Sequence, residues 1–282
     1  MNMLKQAGNV NGNFVKQPES GYFGVIVQIY EIQTPEEAQK MVSLGVDHIG
    51  SVLTGAESRS KLKETIALVG DSGARSSLIP LFEDMDRISA ALDEYRPDIV
   101  HFCQSVFDAS EDWAARCGRL ISMQATVKER FPEISVMRTI AVPPPGPADH
   151  LPIMEVARHF ELLTDFFLID TFLMEGDTAA GQPEAGFVGI TGQTCDWRVA
   201  GQLVEQSSIP VILAGGLSPD NVFDAVRKVR PAGVDSCTLT NAVDETGAYV
   251  RFKKDPDKVA RFVEQARLAG REVESSKVQD ER

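Results

Sequence analysis

The sequence lacks the features that mark several large classes of protein. Its 282 residues include only four cysteines, and no two of them form a C-x-x-C pair. A chain of this length does not depend on disulfides, so its thiols are expected to be reduced. No apolar run approaches the roughly 20 residues of a membrane span, and the polar N-terminus has no apolar segment typical of a secretory signal. We therefore expect a cytoplasmic protein without a membrane partner.

Positive charge is also scarce. Lys and Arg number 28 against 41 Asp and Glu, which gives a net charge of −13. Nucleic-acid backbones select faces rich in Lys and Arg, so a nucleic-acid partner is not expected. No His, Cys and Asp spacing matches a metal site, and the sequence predicts neither a metal nor a cofactor. A phosphorylated ligand would need a local site built from backbone amides.

What the chain does contain is a repeated alternation of short β-type segments with amphipathic segments. This alternation is typical of βα units and a parallel sheet. The clearest helix is predicted over 34–45, with Thr34 as its N-cap, Pro35 in its first turn and Gly45 at its end. Two more are predicted at 219–230, capped by Ser218, and at 255–270, capped by Asp255. The eight predicted strands are 23–32, 46–53, 75–82, 98–104, 134–142, 165–172, 209–217 and 233–239.

The position of the glycines distinguishes two folds built from such units. An open, doubly wound sheet carries a glycine-rich turn after its first strand, but residues 30–33 read Tyr-Glu-Ile-Gln. The glycines come late, where barrels keep their phosphate sites. We therefore predict a single (β/α)₈ TIM barrel over residues 20–270, with the open sheet as the less favoured alternative. Residues 1–19 are predicted to be a flexible arm and residues 271–282 a polar tail.

Two late glycine-rich turns and the end of the last strand form the first candidate site. Glycine lets backbone N–H groups approach an anion closely, and helix N-termini favour negative charge. The alternative is that these glycines serve turn geometry alone. The predicted phosphate-binding residues are Gly189, Thr191, Gly192, Gly215, Gly216, Cys237 and Thr238.

Other candidates lie where strands end, because barrel active sites form at the carboxyl ends of the strands. Asp170 ends an apolar strand, and partial desolvation would raise its pKa and suit it to general acid catalysis. It could instead cap a loop or pair with an arginine. Cys103 is a candidate nucleophile or base without an evident His partner, and His101 is expected to pack against a helix. The long loop 171–195 is either a lid or a surface insertion.

Four segments carry a resemblance to a known family. They are GITGQTCDW (189–197), ILAGGLSPDNV (212–222), GVD (233–235) and KDPDKVARFVEQAR (254–267). Over residues 24–267 the chain resembles phosphoribosylanthranilate isomerase of tryptophan biosynthesis. The resemblance implies an Amadori rearrangement, an aldose–ketose isomerisation in which an acid protonates the ribose ring oxygen and a strand-1 cysteine removes the C2 proton. By position it makes Asp170 the acid and Arg59 the residue that binds the anthranilate carboxylate.

The chain departs from this family at the base. Tyr30 stands in the place of the cysteine, and a free phenol is a poorer base than a thiol by about 2 kcal/mol. Tyr30, Glu31 and Cys103 are the candidate substitutes. Three hypotheses therefore stay open: an isomerase of a phosphoribosyl substrate, another phosphosugar enzyme such as an epimerase or lyase, and a non-catalytic protein that binds a phosphorylated metabolite. The sequence leaves the oligomeric state open.

Overall fold

A computed structural model describes residues 24–54, 59–107, 112–146, 151–173 and 186–280. The predicted arm, residues 1–19, and the middle of loop 171–195 lie outside the described residues. The first eight strands are β1 (Ile26–Ile29), β2 (His48–Leu53), β3 (Arg75–Pro80), β4 (Ile99–Phe102), β5 (Ser135–Val142), β6 (Phe166–Thr171), β7 (Val211–Leu213) and β8 (Gly233–Ser236).

These strands form a closed parallel barrel. Each pairs with the next, and β8 returns to pair with β1 from Ile26 beside Gly233 to Ile29 beside Ser236. The predicted (β/α)₈ barrel is confirmed, and the open sheet is wrong. Every predicted strand contains an observed one.

Eight helices surround the barrel in the described part of the chain. They are α1 (Pro35–Ser43), α2 (Arg59–Asp71), α3 (Met85–Tyr95), α4 (Trp113–Arg130), α5 (Ile153–Phe160), α6 (Trp197–Gln206), α7 (Val222–Val229) and α8 (Pro256–Asp280). None of the described helices combines the length and the apolar character that a membrane crossing requires.

The core has two layers because side chains of a strand alternate between the two faces of the sheet. One set, such as Val27 and Ile29, packs against the helices. The other set fills the barrel and includes Tyr30, Met137 and Leu168. Part of this second layer, including Tyr30 and Leu168, lines the larger pocket of the candidate site described below.

The predicted helix starts are confirmed at two of three positions. Thr34 caps α1 by accepting a hydrogen bond from the backbone N–H of Glu37. Asp255 does the same for α8, accepting from the N–H of Asp257 and of Lys258. Both caps satisfy N–H groups that the first turn leaves without helical partners.

The predictions at Ser218 and at residue 270 are wrong. α7 begins at Val222, because the Asn221 side chain accepts from the N–H of Ser218 and donates to the carbonyl of Gly216, which holds residues 218–221 in a turn. α8 continues through the predicted tail to Asp280. Val273 packs against the core, and Glu272 pairs with Arg227 at 3.7 Å. These two contacts tie the added turns of the helix to the barrel.

The capping role of Thr34 at the start of α1 can be tested by substitution. Thr34→Ala is expected to lower the free energy of unfolding by about 1 kcal/mol, because the N–H of Glu37 loses its acceptor. Urea denaturation followed by circular dichroism measures the change. Thr34→Ser is the matched control, since it keeps the oxygen, and it should stay within about 0.5 kcal/mol of the parent protein. An equal loss in both variants would contradict the capping role.

Candidate active site

Two adjoining pockets open at the carboxyl ends of the strands. With the solvent space at their mouths included, the larger holds about 560 Å³ and the smaller about 300 Å³. Four residues line both pockets, namely Asp170, Ile190, Asp235 and Cys237. A ligand that occupied both would therefore pass these four side chains at its middle.

The smaller pocket brings together six of the seven residues predicted to bind phosphate. They are Thr191, Gly192, Gly215, Gly216, Cys237 and Thr238. Among the hydrogen bonds of the described residues, none uses the backbone N–H of Gly192, Gly216 or Thr238. Such N–H groups are donors for an anion. The geometry therefore supports an anion site here.

The seventh predicted residue, Gly189, serves the acid rather than the smaller pocket. It lines the larger pocket with a backbone φ of +121°. A Cβ atom at this position would lie 2.5 Å from Oδ2 of Asp170. Glycine is therefore required for the chain to cross the Asp170 carboxyl group this closely.

Asp170 is the next-to-last residue of β6 and lies where the two pockets meet. Its Oδ1 accepts a hydrogen bond from the backbone N–H of Thr171 at 2.7 Å. Burial raises the pKa of Asp170 to about 7, and the Thr171 bond opposes that rise. A carboxyl group that holds a proton near neutral pH can donate it to a substrate oxygen. This position and pKa suit the predicted general acid.

Tyr30 points into the barrel, where it is buried and lines the larger pocket. Its hydroxyl oxygen lies 2.6 Å from Oγ of Ser77 and 2.8 Å from Nδ1 of His101. A Cβ atom at Gly50 would lie 2.0 Å from the Tyr30 ring, so Gly50 provides the space for the ring. Burial raises the pKa of Tyr30 well above its usual value of 10. These features argue against Tyr30 as the base.

Tyr30→Phe should therefore leave kcat within about threefold of the parent value. It should also lower the free energy of unfolding by about 1 kcal/mol, because Ser77 and His101 each lose a buried hydrogen bond. Steady-state kinetics and urea denaturation of the same preparation measure both effects. A kcat that falls by more than a hundredfold would restore Tyr30 as a candidate base.

The expectation for His101 is wrong. Its ring lies inside the barrel and lines the larger pocket, with Nε2 2.7 Å from Oγ1 of Thr139. His101 and Cys103 are two residues apart on one strand and so share a face, and both line this pocket. Burial lowers the pKa of His101 to about 3, so the ring is neutral.

Glu31 and Cys103, the other candidate bases, line only the larger pocket. Glu31 has a left-handed backbone, with φ +65°, which interrupts the alternation of the strand and turns its side chain to the pocket. Its Oε1 pairs with Nη2 of Arg251 at 2.6 Å. Neither residue lines the smaller pocket, although the Glu31 side chain contacts Cys237, which does.

Arg59 is not among the residues that line the two pockets. It is the first residue of α2, and its side chain is exposed. The structure thus does not bring it together with Asp170 and the glycine turns. Its role as the carboxylate binder stays a prediction.

Asp235 ends the GVD segment of the sequence, where no chemical role was predicted for it. It lies on β8, and its Oδ1 accepts a hydrogen bond from Nε2 of Gln28 at 3.1 Å. Burial, and after it the negative charge of Asp170, raises the pKa of Asp235 to about 8. The site therefore contains two carboxyl groups with raised pKa values, both of which line both pockets.

A hairpin after β8 contributes residues to the site that were not predicted from the sequence. Strands β9 (Asn241–Val243) and β10 (Tyr249–Lys254) pair antiparallel, and Arg251 of β10 reaches Glu31. Lys254 is buried and donates to the carbonyl of Cys237 at 2.8 Å. The signal available in the sequence was the turn Asp-Glu-Thr-Gly before a segment of alternating residues.

The fold and the site together define a barrel enzyme class in which an anion pocket adjoins acid–base groups at the carboxyl ends of the strands. A family profile described as N-(5'-phosphoribosyl)anthranilate (PRA) isomerase matches residues 125–265. The chain belongs to the phosphoribosylanthranilate isomerase family.

Individual relatives agree with this assignment. N-(5'-phosphoribosyl)anthranilate isomerase 1 of Methanosarcina mazei is 25% identical over 258 residues, which are 86% of this chain and 95% of that protein. The isomerase of Haloferax volcanii is 40% identical over 113 residues, 40% of this chain and 43% of that protein.

Solved structures of the family share the fold. Phosphoribosylanthranilate isomerase of Thermotoga maritima has a TM-score of 0.63 at 22% identity, over 86% of this chain and 98% of that one. A further structure of such an isomerase, in complex with reduced 1-(o-carboxyphenylamino)-1-deoxyribulose 5-phosphate, has a TM-score of 0.61 at 21% identity over the same shares.

Proposed function

We propose that this protein catalyses an Amadori aldose–ketose isomerisation of a phosphoribosylamine, with phosphoribosylanthranilate as the first candidate substrate. The observation that carries the proposal is the position of Asp170, a carboxyl group protonated near neutral pH where the anion pocket meets the larger pocket. Membership of the family supports the same reaction.

The substrate would lie across both pockets. Its phosphate would accept hydrogen bonds from the N–H groups of Gly192, Gly216 and Thr238. Its other end would lie in the larger pocket, where Val52, Ile79, Leu81 and Phe187 give apolar walls. An aromatic amine is a group that such walls accommodate.

In this orientation Asp170 performs the first chemical step. It donates its proton to the ribose ring oxygen, the bond from C1 to that oxygen breaks, and the nitrogen lone pair forms a C1=N bond. Removal of the C2 proton then gives an enaminol, and its tautomerisation gives the ketose. The ring opening needs an acid, and the second step needs a base on the same ligand.

Arg59 as the carboxylate binder rests on the family resemblance alone. The partner is a small phosphorylated metabolite, the expected setting is the reducing cytoplasm, and the oligomeric state is left open.

The decisive experiment is turnover of phosphoribosylanthranilate by the purified protein. The expected product has the same mass as the substrate and an open-chain ketose by NMR. A second arm asks whether the gene complements a tryptophan auxotroph that lacks this isomerase. A product of different mass would favour a lyase, and a product epimeric at one carbon would favour an epimerase. A rise in melting temperature with phosphate esters, without turnover of any of them, would identify a binding protein instead.

A further inference from the structure

The place of the family's base on the first strand is blocked in this chain. The Tyr30 ring occupies the barrel interior against Gly50, and its hydroxyl is engaged by Ser77 and His101. A group that removes the C2 proton must therefore stand elsewhere in the site.

The junction of the two pockets is where that group must lie. In a phosphoribosylamine, C1 and C2 lie between the phosphate on C5 and the amine on C1. The base that removes the C2 proton is therefore expected among the residues that line both pockets. Among the described residues these include three titratable side chains, Asp170, Asp235 and Cys237.

Two of these three are unsuitable as the base. Asp170 is the acid of the first step, and burial raises the pKa of the Cys237 thiol far above neutrality. Glu31 does not line the smaller pocket, and its carboxylate is engaged by Arg251 at 2.6 Å and by the Cys237 side chain. We infer that Asp235 is the catalytic base that removes the C2 proton in this protein, an inference that rests on the proposed isomerisation.

The contacts of Asp235 suit this role. Gln28 donates to its Oδ1, while the described residues give its Oδ2 no hydrogen-bond partner, so one oxygen is fixed and the other is available to the ligand. Behind Gln28, Nδ1 of His48 lies 3.1 Å from Oε1 of Gln28. Burial lowers the pKa of His48 to about 3, so its ring is neutral and its Nδ1–H donates to Gln28. Gln28 must then present its NH₂ group to Asp235, and both act as positioning residues.

Asp170 and Asp235 work as a pair. The negative charge of Asp170 is one cause that disfavours ionisation of Asp235, so protonation of Asp170 removes that charge and favours the Asp235 carboxylate. The form with a proton on Asp170 and the negative charge on Asp235 can perform both steps. In the second step the C2–H bond breaks, its electron pair forms C1=C2, the C1=N pair moves to nitrogen, and the proton goes to Oδ2 of Asp235.

Asp235→Asn tests the inference. The amide keeps the shape and the acceptor for Gln28, so the protein is expected to fold, and it cannot accept the C2 proton. We expect kcat for phosphoribosylanthranilate to fall by about 10²–10⁴-fold. The Kd for reduced 1-(o-carboxyphenylamino)-1-deoxyribulose 5-phosphate should stay within about threefold. Asp93→Asn, the same chemical change at an exposed position of α3, is the matched control and should behave as the parent protein.

Two further variants separate a base from a structural or binding residue. Asp235→Glu keeps a carboxylate and should recover at least tenfold of the kcat lost in Asp235→Asn. Glu31→Gln and Cys103→Ser should each lower kcat by less than about tenfold. In the parent protein kcat should decline toward acid pH as the base becomes protonated, and Asp235→Asn should lose that decline.

The outcomes are distinguishable. A kcat of Asp235→Asn within threefold of the parent, or a larger loss in Glu31→Gln, would overturn the assignment and leave the isomerase proposal standing. A rise in KM and in Kd for the analogue at unchanged kcat would make Asp235 a binding residue, which also overturns it. A parent protein that binds the analogue but does not isomerise phosphoribosylanthranilate would overturn both proposals.

Discussion

Asp170→Asn is expected to abolish nearly all turnover of phosphoribosylanthranilate, with kcat lower by about 10²–10⁴-fold, or about 3–5 kcal/mol of transition-state stabilisation. The Asn oxygen can still accept from the N–H of Thr171, so the local fold is kept. The lost function is the proton for the ring oxygen. Without it, the C1–O bond must break toward an alkoxide, a poor leaving group.

Kinetics with a matched control measure this loss. Asp224→Asn changes an exposed carboxylate of α7 and should keep the parent kcat, whereas the Kd of the reduced product analogue should be similar in all three proteins. Near-parent turnover by Asp170→Asn would contradict the general-acid assignment.

The pH dependence gives the same residue a second, independent signature. Because Asp170 must be protonated to act and burial raises its pKa to about 7, kcat should decline as pH rises above that value. A decline of kcat as pH falls would instead report protonation of a base. Because Asp170 interacts with Asp235, the two limbs describe the pair rather than either residue alone. Asp170→Asn should remove the alkaline decline from its residual activity.

The sequence predicts the barrel well because the barrel is specified by repetition. Eight alternations of β-type and amphipathic segments each have a local cause, and closure follows from their number and order. The grouping of the glycine turns around one pocket was predictable for a similar reason. Glycines such as Gly192 and Gly216 stand at strand ends, and all strand ends of a barrel meet at one face.

The acid–base groups were less predictable because their roles depend on neighbours that are distant in sequence. Asp235 acquires its raised pKa from burial and from Asp170, 65 positions earlier in the numbering. Its orientation comes from a hydrogen bond with Gln28, which lies on β1, the strand that pairs with β8 to close the barrel. Tyr30 could be recognised as a poor base from its reference pKa, but its enclosure depends on Gly50 and Ser77.

The expectation that His101 packs against a helix was wrong for a local reason, because simple alternation from Cys103 places both side chains on the pocket side. Alternation from Tyr30 would turn Glu31 away from the barrel axis, yet its left-handed backbone breaks the rule. The position of His101 follows from the sequence pattern. The position of Glu31 does not, because its φ of +65° in a non-glycine residue has no sequence signature here.

Gly50→Ala is expected to be strongly destabilising, by about 3 kcal/mol or more. The added Cβ would lie 2.0 Å from the Tyr30 ring, which is inside the barrel and fixed at its hydroxyl by Ser77 and His101. The ring cannot move without breaking buried hydrogen bonds. Urea denaturation gives the free energy of unfolding. Gly118→Ala is the matched control, because its Cβ would meet nothing within 4 Å on an exposed face of α4, and it should stabilise the protein by about 0.5–1 kcal/mol.

A double-mutant cycle identifies the cause of that loss. Tyr30→Cys removes the ring and will itself destabilise the protein by creating a cavity. In that background Gly50→Ala should cost less than about 1 kcal/mol, because its Cβ enters vacated space. The interaction energy between the two changes should therefore be at least about 2 kcal/mol in the direction of rescue. If Gly50→Ala costs the same with and without the ring, Gly50 is required for its backbone rather than for Tyr30. The burial of the Tyr30 ring, which argues against Tyr30 as a base, would then not depend on Gly50.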